Sequence, residues 1–185
     1  MTKHSNWRRG LLMLGVFSAF AVGEEALGQV PNPPTLMIPP IQRLDDLVRL
    51  RPEQLDALYA GGTASAIPAG KVQGRAIYYP GTAAAVPVSK GARLVWQGKV
   101  FDPSGASAVN RFFGVKAVRA DVYQAESWRD GHPSLILDYS KTSKVYANFR
   151  DEIRQVAPGL YLGLMYARTS PSPKLKLYFV LESRP

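Results

Sequence analysis

Cysteine is absent from the 185 residues, so neither a disulfide framework nor a lipoprotein thiol anchor is available. Histidine is nearly absent: the chain has two, His4 and His132. A Ser-His-Asp triad would have to use His132, beside Pro133 at an expected turn tip, and a His-rich metal site is excluded. No glycine-rich loop runs into a lysine to cradle phosphate, and no G-x-S-x-G elbow occurs. Acidic side chains are in the minority, 14 against 23 Lys and Arg, giving a formal charge of +9. The apolar run Gly10 to Val22 falls short of the roughly 20 residues a spanning helix needs.

That run has another use. Lys3, Arg8 and Arg9 precede it, and Ala26-Leu27-Gly28 follows with small residues where a signal peptidase reads. Residues 1–28 are therefore expected to be a cleaved signal peptide, leaving no transmembrane span and a periplasmic or secreted location. The remaining chain keeps a basic surface, which suits lipid head groups or an anionic envelope surface, or serves solubility alone. Export argues against nucleic acid as a partner.

Residues 29–42 carry five prolines between Pro31 and Pro40, too many missing donors for a helix or central strand, and predict an extended tether. Residues 43–62 predict two short helices. Leu44, Leu47 and Val48 sit at helical spacing. Pro52 and Glu53 then suit a new first turn, and Gly61-Gly62 stop it. Their apolar faces are expected to pack on whatever sheet follows.

From residue 63 onward the chain predicts a β domain. Strands are expected over Lys71 to Tyr79, Ala92 to Phe101, Val115 to Trp128 and Ser134 to Tyr139. Three more are expected over Phe149 to Val156, Leu160 to Tyr166 and Lys174 to Glu182. Pro80 to Gly91 predicts a loop, and Asn110 to Gly114 fits no element. Asp130-Gly131 and Ala157-Pro158-Gly159 mark hairpins. About seven sequential strands with one apolar face and no intervening helices mean a mainly β protein: an antiparallel meander closing into a barrel, with short amino-terminal helices.

The candidate site residues come from the strands. In Phe149 to Arg154, Phe149, Asp151 and Ile153 face one way, and Arg150, Glu152 and Arg154 the other. An inward Asp151 needs a partner. The outward charges suit either an ion-pair ladder or a binding site. In the Trp96 to Lys99 stretch, Trp96 could floor a cavity, and Lys99 could meet an anionic head group or an internal carboxylate. Asp138, Tyr139 and Tyr161 complete the set, and Leu162, Leu164, Leu177 and Phe179 are expected to line the wall.

Several stretches resemble a known pattern. G-x-V-x-G (Gly70 to Gly74), W-Q-G-K-V-F (Trp96 to Phe101), D-Y-S (Asp138 to Ser140), R-D-E-I-R, Y-L-G and the terminal Y-F-V-L-E occur in this order. They look like uncharacterised exported bacterial proteins and, more remotely, resemble calycin-like G-x-W-x-G proteins, in which W-x-G-K-x-F precedes D-x-F-R. Val72 stands where that family has Trp. Asp151 and Arg154 match the Asp and Arg of D-x-F-R, and Ile153 replaces the aromatic. The resemblance implies a lipocalin-like barrel with a lipid-like ligand.

The expectation is thus an exported, non-enzymatic protein binding a small hydrophobic or amphiphilic ligand through Trp96, Lys99, Asp138, Tyr139, Asp151, Arg154 and Tyr161. No catalytic residue, metal or cofactor is expected. Two alternatives remain: a hydrolase or isomerase using Asp138, Asp151 or Glu152 as acid or base, and an envelope interaction protein docking through its tether and helices.

Overall fold

The computed structural model describes residues 36–183. The leader expected over 1–28 and the first half of the tether lie outside them. Three helices and eight strands follow in order: α1 (Leu44–Val48), α2 (Pro52–Ala60), β1 (Gly70–Ile77), α3 (Ala85–Ala92), β2 (Trp96–Phe101), β3 (Ser107–Phe112), β4 (Val115–Glu126), β5 (Pro133–Asp138), β6 (Phe149–Ala157), β7 (Leu160–Ala167) and β8 (Lys174–Glu182). Each strand pairs antiparallel with the next, and β1 pairs with β8, closing the barrel. No helix among the described residues is long and apolar enough to cross a membrane.

The strand missed in the sequence is β3. Its apolar alternation is weak because the inward position Asn110 is polar, and eight strands result instead of about seven. α3 occupies part of the stretch expected to be a loop, with Pro87 near its start, where a missing N–H costs nothing.

Closure sorts the side chains into two clusters. Val72, Phe101, Ala120, Leu137, Ile153 and Phe179 belong to the cluster inside the barrel, with partners from the other strands. A second cluster lies outside, where Leu47, Val48, Leu55 and Tyr59 of α1 and α2 pack on Leu162, Leu164 and Val180. Each such side chain contributes about 1.5–3 kcal/mol over an exposed one. Leu162 and Leu164 therefore do not line the interior as expected. β7 is apolar on both faces because one face fills the barrel and the other seats the helices. The inward positions belong to Tyr161, Gly163 and Met165, while Leu177 and Phe179 do face inward. Gly163 is small because Phe179 lies across it, on the ring side where a Cβ would stand.

The helices are anchored by side chain to backbone bonds. Asp46 Oδ2 accepts from the N–H groups of Gln42 and Arg43 at 3.0 and 2.9 Å. Gln54 Oε1 accepts from Arg51 N at 3.0 Å. These satisfy donors that a helix start leaves over.

Alternate connections of an up-and-down barrel share one end. Segment 61–69 covers the end where β1 begins: Ile67 joins the interior cluster, and Thr63 pairs with Gln155. At the opposite end lie the connections 78–95, 113–114, 139–148 and 168–173, and there a cavity opens.

Candidate functional site

The cavity measures about 100 Å³. Its floor is polar and its walls are apolar. The floor depends on an irregularity in β2: the register with β3 shifts between Trp96 and Lys99, and Gly98 takes a φ of 109°. That left-handed conformation suits glycine, and a Cβ there would strike the Val72 carbonyl. Simple alternation puts Trp96 and Lys99 on opposite faces. The bulge turns both inward.

Lys99 is 2 % exposed and Asp151 3 %. The ammonium Nζ donates to Asn110 Oδ1 at 2.8 Å, Tyr139 Oη at 2.9 Å and Asp151 Oδ2 at 2.9 Å. It also lies 5.2 to 5.6 Å from the ring centres of Phe179, Trp96 and Tyr139, close enough for the ring quadrupoles to favour its charge. Burial lowers the pKa of Lys99, and Asp151 opposes that shift by its charge and hydrogen bond. Burial also raises the Tyr139 phenol well above its ordinary value, and the Asp151 charge adds to the shift.

The floor groups satisfy one another almost completely. Tyr139 Oη donates to Asp151 Oδ2 at 2.7 Å and accepts from Lys99 and from Asn110 Nδ2, the latter at 3.1 Å. Asn110 Nδ2 also donates to the Val118 carbonyl at 3.2 Å, and Asn110 Oδ1 accepts from Trp96 Nε1 at 3.0 Å. All three ammonium protons, both amide protons and the phenol proton are used. Asp151 Oδ1 is the exception. It has no hydrogen-bond partner among the described residues and is not sealed from solvent.

Trp96, Phe112, Tyr146, Met165, Leu177 and Phe179 form most of the wall. Trp96 meets Phe179 edge to face at 5.7 Å, and Tyr146 contacts Phe112, Tyr139 and Phe149 at 5.6 to 6.0 Å. Tyr78 and Tyr146 both border the opening.

Four of the seven candidates thus meet in one cavity: Trp96, Lys99, Tyr139 and Asp151. The other three stand elsewhere. Asp138 ends β5 beyond the cavity, accepting from Tyr123 Oη at 2.9 Å, Ser140 N at 2.9 Å and Arg168 at 2.8 Å. Its pKa falls to about 2, because these hydrogen bonds outweigh the opposing effect of burial, the largest single influence. Tyr161 faces inward, but at the covered end, where its hydroxyl donates to the Ala66 carbonyl at 3.4 Å.

Arg154 is on the outer face beneath α2. It donates to the carbonyls of Pro133, Tyr59 and His132 at 3.0 Å each, and makes a two-pronged pair with Asp130 at 2.7 Å. Glu152, fully buried on the same face, accepts from Ser127 Oγ at 2.5 Å and from Trp128 N at 2.9 Å, and pairs with Arg150 at 3.3 Å. These outward charges clamp the β4–β5 turn and α2 onto β6. Asp138, Asp151 and Glu152 share no pocket, so the carboxylate pair needed for two-carboxylate acid-base chemistry does not form.

Asn110 and Tyr146 were missed as site residues. Asn110 lies in the stretch that fits no element, and Tyr146 between the strands expected over Ser134 to Tyr139 and Phe149 to Val156. The usable signal was an isolated amide between Val109 and Arg111 in what proves to be a strand.

No family model and no curated protein matches the chain. A crystal structure of a protein from Thermomonospora curvata aligns with a TM-score of 0.46 and 20% identity, over 74% of this chain and 90% of that one.

Proposed function

We propose that the protein is an exported, non-enzymatic binding protein for a small neutral amphiphile whose polar end donates a hydrogen bond, such as a hydroxyl. The supporting observation is the floor of the cavity, in which Asp151 Oδ1 is the polar atom left without a partner. Lys99 and Asp151 balance in charge. An anionic head would find no free donor on the floor and would meet the Asp151 carboxylate. A hydroxyl would take the place of solvent on Oδ1 and complete the network, and a hydrogen bond to a carboxylate in a largely buried site is stronger than one in water. Lys99 therefore serves the internal carboxylate, not an anionic head group.

The wall supplies the apolar half. A volume of about 100 Å³ is well below the roughly 300 Å³ of pockets for drug-sized molecules. The cavity encloses one end of a longer amphiphile, and the tail leaves through the opening. This is a lipocalin-like use of a barrel with a smaller chamber.

Calorimetric titration with decanol and with decanoate tests the reading. Decanol is expected to bind about tenfold or more tighter. Equal or tighter binding of decanoate, or no binding of decanol, would overturn it.

A further inference from the structure

The open end differs from the rest of the surface. Of twelve exposed large hydrophobic side chains among the described residues, seven lie on the connections or strand ends at this end of the barrel. The most prominent are Tyr79, Leu94, Phe113, Val115 and Val145, each 65–80 % exposed. Phe113 stands at the tip of the β3–β4 hairpin with a φ of 49°, followed by Gly114 at 82°. Two successive positive φ values are the pattern of a tight hairpin turn, where Asn, Asp or Gly is normally chosen. A bulky aromatic there sits at backbone cost.

Charge separates the two ends as well. The connections 78–95, 113–114, 139–148 and 168–173 contain no Asp or Glu; Lys141, Lys144 and Arg168 lie on the last two, while Lys90 and Arg93 of α3 stand beside Gln73 on the outer wall of the barrel. Arg111 and Lys116, paired across β3 and β4, continue the basic surface down the outside. Of these seven cations, only Arg168 has a carboxylate within 4 Å among the described residues. At the covered end, the connections 102–106 and 127–132 carry Asp102, Asp130 and Arg129, and Arg129 is itself paired with Asp56. An apolar rim with an unneutralised basic fringe complements an interface of hydrocarbon behind anionic head groups. A soluble partner would need both features in the same ring, whereas a bilayer supplies them everywhere.

We propose that the open end of the barrel docks on an anionic lipid bilayer, with Phe113, Leu94, Val115, Val145 and Tyr79 inserted among the acyl chains and the lysines and arginines on phosphates. None of these side chains lines the cavity, so docking can be tested apart from ligand binding.

Co-sedimentation of the protein with vesicles tests this, comparing phosphatidylcholine–phosphatidylglycerol mixtures with pure phosphatidylcholine. Binding is expected to the anionic vesicles and to weaken as salt is added. Phe113→Asn is the diagnostic variant. Asparagine suits the turn, so thermal stability is expected to hold or rise, while vesicle affinity falls about tenfold. Lys141→Gln with Lys144→Gln is expected to weaken anionic binding by on the order of tenfold and leave decanol binding unchanged. Equal binding to both vesicle types, full binding by Phe113→Asn, or absence of vesicle binding with self-association lost in Phe113→Asn would each overturn the proposal. The last result would assign the rim to a second copy of the chain.

Discussion

Lys99→Met is expected to lower the free energy of unfolding by about 3–5 kcal/mol. The side chain is buried against Phe179, Trp96 and Tyr139, and methionine fills much of its volume, so lost packing is a small part of the effect. The large part is the partner left behind. Asp151 Oδ2 would keep only the Tyr139 hydroxyl, in a site with 3 % exposure and no counter-ion.

A second substitution separates these contributions. Lys99→Met with Asp151→Leu removes both charges, and most of the loss should return, since a buried pair replaced by apolar groups of similar size is often neutral or better. The residual deficit would be the Tyr139 hydroxyl without its acceptor, about 1–3 kcal/mol. The double variant should also lose the preference for decanol over decanoate. Urea unfolding midpoints check the stabilities. A single variant costing less than about 1 kcal/mol would mean that water screens the pair.

Arg154→Met should cost as much, about 3–5 kcal/mol, with a different functional signature. Five guanidinium hydrogen bonds tie Arg154 to the last turn of α2 and to the turn between β4 and β5. Its plane lies 4.4 Å from the Tyr59 ring. Removal takes a donor from three carbonyls, of which Tyr59 and His132 keep a backbone N–H, and takes the cation from the Asp130 carboxylate, which this arginine holds below its ordinary pKa by hydrogen bonding. The loss should fall on stability alone, because Arg154 touches neither the floor nor the wall of the cavity. Decanol affinity measured well below the unfolding temperature is expected to stay within about twofold of the parent. A large drop would mean that the resemblance pairing Asp151 with Arg154 describes one site after all.

Much of this was legible in the chain. The alternation Phe149-Asp151-Ile153 against Arg150-Glu152-Arg154 assigned both faces of β6 correctly, because each face has a distinct chemistry. In β8 the alternation Leu175, Leu177, Phe179, Leu181 points the last three inward as expected, but Leu175 packs outside, where the register with β7 shifts between Met165 and Tyr166. Leu162 and Leu164 misled, since alternation says only that two faces differ, and on β7 both are apolar. Which one fills the barrel depends on α1 and α2 covering the other, a tertiary fact. Trp96 and Lys99 were singled out, but their meeting needs one extra residue at Gly98, which breaks the period of two. Asn110 is the least legible of these positions. A buried amide interrupts the apolar pattern that identifies a strand, and it does so because it serves the site. Arg154 shows the converse, where a charge with site-like neighbours in sequence proves to be a clamp.

If the proposed function holds, the cavity above Lys99 and Asp151 receives the donor end of an amphiphile. Two methionines among the described residues report on it directly. Met165 lines the cavity, while Met37 is 77 % exposed on the segment before α1. With methyl-labelled methionine, NMR titration with decanol is predicted to shift the Met165 resonance saturably and leave Met37 in place. A saturable shift at Met37 with Met165 unmoved, or no saturable shift at either, would rule out binding in this cavity.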